Sequence, residues 1–201
     1  MKDRSIAGLL LFLLPSLFLT ALMWGESMAP EYSVRDNAIS DLGIISETAA
    51  LFTLTLGAVG ALSIIGGYFL YREEGRKGRF LLHFLAGVGA IGAGVISLND
   101  PSGLHGLFAL MAFLFFSLLP LAAMRDVEGP LRAIAVVTGT LGIIFLVAMF
   151  VSDAGLIDLF GPIGHGGLER MIAYPPMIWL FAYGSVLMST SRKTDAEAPP
   201  A

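Results

Sequence analysis

Cysteine is absent from the 201-residue chain. That excludes a disulfide framework, a thiolate metal site and a thiol nucleophile, and leaves the compartment unreadable from redox chemistry. Charge is scarce as well. Only 14% of residues are Asp, Glu, Lys or Arg, against about 25% in an ordinary soluble domain. The formal net charge of −4 argues against a nucleic-acid partner. No repeat period marks a solenoid, and no matching halves mark an inverted-repeat transporter.

What is present is apolar. Hydrophobic residues make up 56% of the chain. They gather in six stretches of the roughly 20 residues a helix needs to cross a hydrocarbon core, near 5–24, 47–71, 80–98, 104–124, 133–152 and 168–190. The expected fold is all-α: a polytopic integral membrane protein with one six-transmembrane-helix domain over 1–190. The polar tail 191–201, ending Pro-Pro-Ala, is expected to be disordered. Lys2 and Arg4 precede the first stretch as in a signal peptide. Its apolar run is too long for one, however, and no small-x-small cleavage site follows Trp24, so it reads as a retained helix.

Basic residues orient the bundle. Six crossings put both termini on one side. That side holds Lys2, Arg4, Arg72, Arg76, Lys77, Arg79, Arg125, Arg132, Arg192 and Lys193, and the other holds only Arg35 and Arg170. Both termini are therefore expected in the cytoplasm, the protein in the cell membrane, and the two longer loops, 25–46 and 153–167, outside. The segment around "AGLIDLFGPIG", flanked by Asp153 and Asp158, reads as an interfacial turn or short helix.

The polar residues concentrate outside. In "YSVRDNAISDLG" helical spacing puts Val34, Ala38, Ile39 and Leu42 on one face. Ser33 and Asp36 have the capping-box pattern and Gly43 suits a stop. The stretch is expected to be a short amphipathic helix, ending before Ser46 caps the second membrane helix. Its polar face is expected to meet Arg170 and the turn at His105. Arg170 opens the last helix, where a cation opposes the helix dipole, so it needs a partner; Asp36, Asp41 and Asp100 are the candidates. The candidate cluster is Arg35, Asp36, Ser40, Asp41, Asp100, His105, His165, Glu169 and Arg170.

Three histidines are available for metal. His83 starts the third stretch at the cytoplasmic side and should lie about 20–25 Å from the other two, so it reads as an interfacial side chain without chemistry. His165 and Glu169 have the i,i+4 spacing of one helix face. With His105, and Asp41 or Asp100 nearby, they have the ligand types zinc takes. Against this, there is no His-Glu-x-x-His, and Gly166-Gly167 oppose a helix reaching back to His165. Asn99-Asp100-Pro101-Ser102 also reads simply as a tight turn.

Packing signals are plain. Ala86, Ala90 and Gly94, with Gly87, Gly89 and Ala93, give the third helix small-xxx-small faces, and Gly57, Gly60 and Ala61 do so on the second. Such faces serve tight packing or a homo-oligomer. Pro175-Pro176 is expected to kink the last helix and open a gap beside Tyr174. Inside the six cores only Ser63, Ser97, Ser117 and Thr138 are modestly polar, which counts against ion-coupled transport.

"YSVRDNAISDLG", "HGLFALMAFLFF" and "LERMIAYPP" resemble DUF998, an uncharacterised prokaryotic multi-pass family. "NAISDLGIISETAALF" is similar to the Frag/DRAM/Sfk type of six-helix membrane protein through Ile39, Ser40, Asp41 and Gly43. The first resemblance implies a membrane protein of unknown activity, and the second an association with membrane lipid handling. The function expected is binding of a lipid headgroup or small polar ligand at the outer cluster, with Arg35 or Arg170 engaging a phosphate. The alternative is an intramembrane metal-dependent lipid hydrolase or transferase using Asp41, His105, His165 and Glu169. Whether the chain is an enzyme stays open. No cofactor is implied, and membrane lipid is the expected partner.

Overall fold

The structure, a computed structural model, describes residues 3–196. It contains six long helices: α1 Asp3–Met28, α2 Ala49–Glu74, α3 Lys77–Val95, α4 Leu104–Ala123, α5 Gly129–Asp153 and α6 Gly164–Ala196. Each is long and apolar enough to cross a membrane, and no strand occurs among the described residues. The chain is thus an all-α, polytopic bundle. Two short 3₁₀ turns, Ile39–Gly43 and Gly161–Ile163, punctuate the long loops. The stretch 191–196 continues α6 as helix, and residues 197–201 of the expected disordered tail lie outside the described residues.

Each helix packs on its neighbour in sequence, and α6 closes the circuit by packing on α1 as well as on α5 and α4. The result has a terminus end, with the α2–α3 and α4–α5 links, and a far end built from loops 29–48 and 154–163. α6 is the most enclosed span and α5 the least.

Close approach of backbones explains the small residues. A Cβ on Gly184 of α6 would lie 2.7 Å from Gly8 O, and one on Gly8 of α1 would lie 2.8 Å from Gly184 O. Between α2 and α3, a Cβ on Gly87 would lie 2.6 Å from Gly60 O. Neither pair of helices can reach this distance with side chains in the way, and lipid offers no hydrophobic force to substitute for the contact. Gly87 and Gly94 of α3 thus pack inside the chain against α2, and Gly89 and Gly92 against α4.

Several local expectations are corrected. The stretch Tyr32–Gly43 is not one amphipathic helix. It makes a turn at 34–36, closed by Asn37 N donating to Ser33 O at 2.8 Å, then an extended Ala38, then the 3₁₀ turn. Asp41 causes the break: its carboxylate accepts from Ala38 N at 2.9 Å and Asn37 Nδ2 at 3.1 Å. These local side-chain bonds compete with a helical ladder. Ser33 and Asp36 do bond each other, at 2.8 Å. Thr48, not Ser46, precedes α2, its hydroxyl donating to Leu42 O at 2.7 Å.

Helix α6 reaches back past His165 despite Gly166-Gly167. Its free N-terminal amides are met from outside, Gly166 N and Gly167 N both donating to Arg35 O, which supplies the acceptors a helix start otherwise lacks. Pro175 and Pro176 are buried within α6, which stays helical through them. His83 is not interfacial but buried between α2 and α3, where Ser63 Oγ donates to His83 O at 3.0 Å.

The packing gives a direct test. Gly184→Ala should lower the thermal midpoint in detergent, since overpacking costs about 1–3 kcal/mol. Gly57→Ala, whose new methyl meets open space, should leave it unchanged.

Candidate functional site

The far end is organised around Arg170. Its side chain is only 6% exposed, and all three of its nitrogens donate. Nε and Nη2 reach Glu26 Oε1 at 3.1 and 2.6 Å, and Nη2 also reaches Tyr32 Oη at 2.6 Å. Nη1 donates to Gly166 O, Val34 O and Asn37 O at 2.7, 3.0 and 3.2 Å. The guanidinium also lies 5.6 Å from the Tyr32 ring centre. Tyr32 passes its own proton to Ala38 O at 2.8 Å. One buried cation thus joins the end of α1, the loop 32–38 and the start of α6. Burial pushes the Tyr32 phenol up to about 12, against the pull of Arg170.

The partner is Glu26, and none of Asp36, Asp41 or Asp100 bonds Arg170. The signal was hidden because "GESM" after Trp24 reads as the start of a loop. In fact α1 runs on to Met28 and carries Glu26 to Arg170.

Beside this clasp lie two spaces that share part of their lining. The first is a small cavity of about 60 Å³ within the bundle, walled by apolar side chains such as Phe18, Phe52, Val59, Phe116 and Met177. That admits a few waters, not a lipid. The second is a cleft of about 560 Å³ between α4 and α5, within the size range of small-molecule sites. Its walls include Leu107, Leu110, Leu146, Met149 and Phe150, and its far-end rim holds Ser40, Asp41, Asp153, His165 and Glu169. Leu107, Leu110 and Phe150 are exposed on the flank of the bundle, so the cleft opens sideways. Ser40, His105, Ala109, Phe113 and Glu169 border both spaces.

The rim is built by local chemistry. Glu169 is buried, 4% exposed, and its Oε2 accepts from Ile39 N, which fixes the 3₁₀ turn against α6. His105, equally buried, has Nδ1 2.8 Å from Ile96 O at the end of α3. His165 Nε2 lies 3.4 Å from Asp153 Oδ1, with its ring against Phe160. Among the expected cluster, then, Ser40, Asp41, His105, His165 and Glu169 border one cleft. Arg170 is locked behind it. Arg35 and Asp36 sit exposed at the surface, Arg35 Nε donating to Pro162 O at 3.1 Å. Asp100 closes its own turn, accepting from the Ser102 hydroxyl and from Ser102 N at 2.9 Å, and those bonds hold its carboxyl below the usual range.

Among the described residues no three His, Asp or Glu side chains gather in a way that holds a metal ion. The set His105, His165 and Glu169 forms no such grouping; His105 Nδ1 is held by Ile96 O and His165 Nε2 faces Asp153. Asp153, read from sequence as a loop flank, instead belongs to the rim.

The terminus end has a counterpart to the clasp. Arg79, only 5% exposed, donates Nη1 to Glu74 at 2.5 Å and to Tyr183 Oη at 3.1 Å, and Nη2 to Asp126. Arg76 adds a 2.5 Å contact to Asp126.

A family model described as "Protein of unknown function (DUF998)" matches residues 8–186. No curated protein and no solved structure matches the chain.

Two measurements check the clasp. Arg170→Lys should destabilise nearly as much as Arg170→Ala, because one ammonium cannot serve Glu26, Tyr32 and three carbonyls at once. Orphaning Glu26 should cost about 3–5 kcal/mol, read as a lowered thermal midpoint. The contribution of Tyr32 to stability should be constant with pH up to the ordinary tyrosine value of 10.0 and fall from there toward 12. In that window the unfolded chain releases the Tyr32 proton while the folded one retains it. Tyr32→Phe should reduce that alkaline fall in denaturation curves.

Proposed function

We propose that this chain, which belongs to the DUF998 family of proteins of unknown function, binds an amphipathic molecule in the sideways cleft between α4 and α5. The apolar chain of the guest lies along Leu107, Leu110, Leu146, Met149 and Phe150, and its head reaches the rim at Asp41, Asp153 and His165. The observation that carries this reading is the cleft itself: about 560 Å³, apolar along its length, polar at one end and open on the flank where lipid tails would lie.

Three features support it. The opening needs no passage through water, so a guest can slide in from the bilayer. The loop after α5 exposes Leu156, Ile157 and Leu159, which suits an interfacial position next to the rim. The basic bias of the sequence puts the far end outward and both termini in the cytoplasm, so the cleft opens to the outer leaflet of the cell membrane. A phosphate is not held by Arg170, since every one of its nitrogens already has a partner inside the chain.

Filling the cleft tests the reading. Leu110→Trp should sharply reduce the lipid or other amphiphile that co-purifies with the protein, as counted by native mass spectrometry, without changing the thermal midpoint by more than a few degrees. Undiminished co-purification would sink it.

A further inference from the structure

This inference rests on the cleft reading and specifies which head the cleft takes. Every titratable side chain bordering the cleft is an acid or a histidine: Asp41, His105, Asp153, His165 and Glu169. Among the described residues no lysine or arginine lines it. The two arginines of the far end face elsewhere, Arg170 in the clasp and Arg35 on Pro162 O. A rim of this sign repels phosphate and carboxylate and attracts a cation.

An independent observation comes from His105. A carbonyl oxygen only accepts, so the Nδ1 bonded to Ile96 O carries a proton, and in the neutral imidazole Nε2 presents a lone pair. That Nε2 is buried without a hydrogen-bond partner, on a side chain that borders both the cleft and the small cavity. A buried acceptor left unmet is unfavourable, and an incoming N–H or O–H relieves it. Glu169, bordering the same two spaces, accepts one hydrogen bond among the described residues, from Ile39 N to Oε2, which leaves its other oxygen for a guest. The inner border of the cleft is thus an acceptor site waiting for a donor, with Asp153 and Asp41 on the rim.

We propose that the head is a primary ammonium group, donating to His105 Nε2 and the Glu169 carboxylate and balanced by the rim acids. A quaternary ammonium has the charge but no N–H, and a hydroxyl has the donor but not the charge, so both bind less well. The ammonium can belong to a free long-chain amine or to an ethanolamine-type lipid headgroup.

The protein in phosphatidylcholine nanodiscs is titrated with dodecylamine, dodecyltrimethylammonium and dodecyl phosphate, reading the apparent affinity from the rise in thermal midpoint. Dodecylamine should bind at least about tenfold tighter than the other two, a difference of about 1.4 kcal/mol. His105→Phe keeps a ring of similar shape without the lone pair and should erase most of that preference. Asp153→Asn, at a half-exposed position, should weaken it several-fold. Exchanging phosphatidylcholine for phosphatidylethanolamine separates the sources. Weakened dodecylamine binding identifies the lipid headgroup, and unchanged binding identifies a free amine. Equal affinity for all three amphiphiles, still lost in Leu110→Trp, overturns the ammonium head and keeps the cleft. Binding of none, or binding indifferent to Leu110→Trp, overturns the cleft reading as well.

Discussion

One buried guanidinium sets the far end. Arg170 sits at the start of a membrane-spanning helix, where its charge opposes the dipole and where burial alone would be prohibitive. It is tolerated because Glu26, Tyr32 and three carbonyls surround it. Those partners come from α1, from the loop and from α6 itself, so satisfying the charge also fixes the loop. With the loop fixed, Arg35 O reaches the amides of Gly166 and Gly167, Ile39 N reaches Glu169, and the 3₁₀ turn becomes part of the rim. A buried ion pair of this kind specifies an arrangement more than it adds net stability.

Arg79 repeats the solution at the other end with Glu74, Asp126 and Tyr183. There it joins α3 to the end of α2, to α6 and to the α4–α5 link. Between the two arginines the contacts are of a different sort: glycine backbones against one another, such as Gly8 on Gly184 and Gly60 on Gly87. Polar clamps at the ends and bare backbone contact in the middle suit a solvent of hydrocarbon, in which apolar side chains gain little by meeting.

The six spans were legible because hydropathy over 20 residues is a strong signal that no local detail reverses. The helix ends were less so. Glu26 and Gly166-Gly167 look like places where a helix stops, and each is helical only because a distant residue meets it, Arg170 in one case and Arg35 in the other. The amphipathic pattern of Val34, Ala38, Ile39 and Leu42 was genuine as a pattern, but the Asp41 carboxylate captures Ala38 N and Asn37 before a helix can form. Ser40, Asp41, His105, His165 and Glu169 were all recognisable as polar groups of one end, and they do border one cleft. What the sequence could not show is which of them keeps a free valence. The Nε2 lone pair of His105 exists because Ile96 O happens to end α3 beside it. Ligand types for zinc were legible too, but spacing in the sequence does not bring three of them together among the described residues.

The enclosure of the helices is uneven in a way that bears on how the cleft is entered. Among the described residues α5 packs chiefly on α4 and α6, is the least enclosed span, and supplies no side chain to either arginine clasp. One wall of the cleft is therefore a helix with few obligations, while the rest of the rim belongs to the loop and to α6, which the Arg170 clasp ties down. The cleft has the form of a seam more than of a hole. Its width is set by how closely one lightly held helix leans on its neighbours, and parting it would leave in place the charges that join α1, α2, α3 and α6.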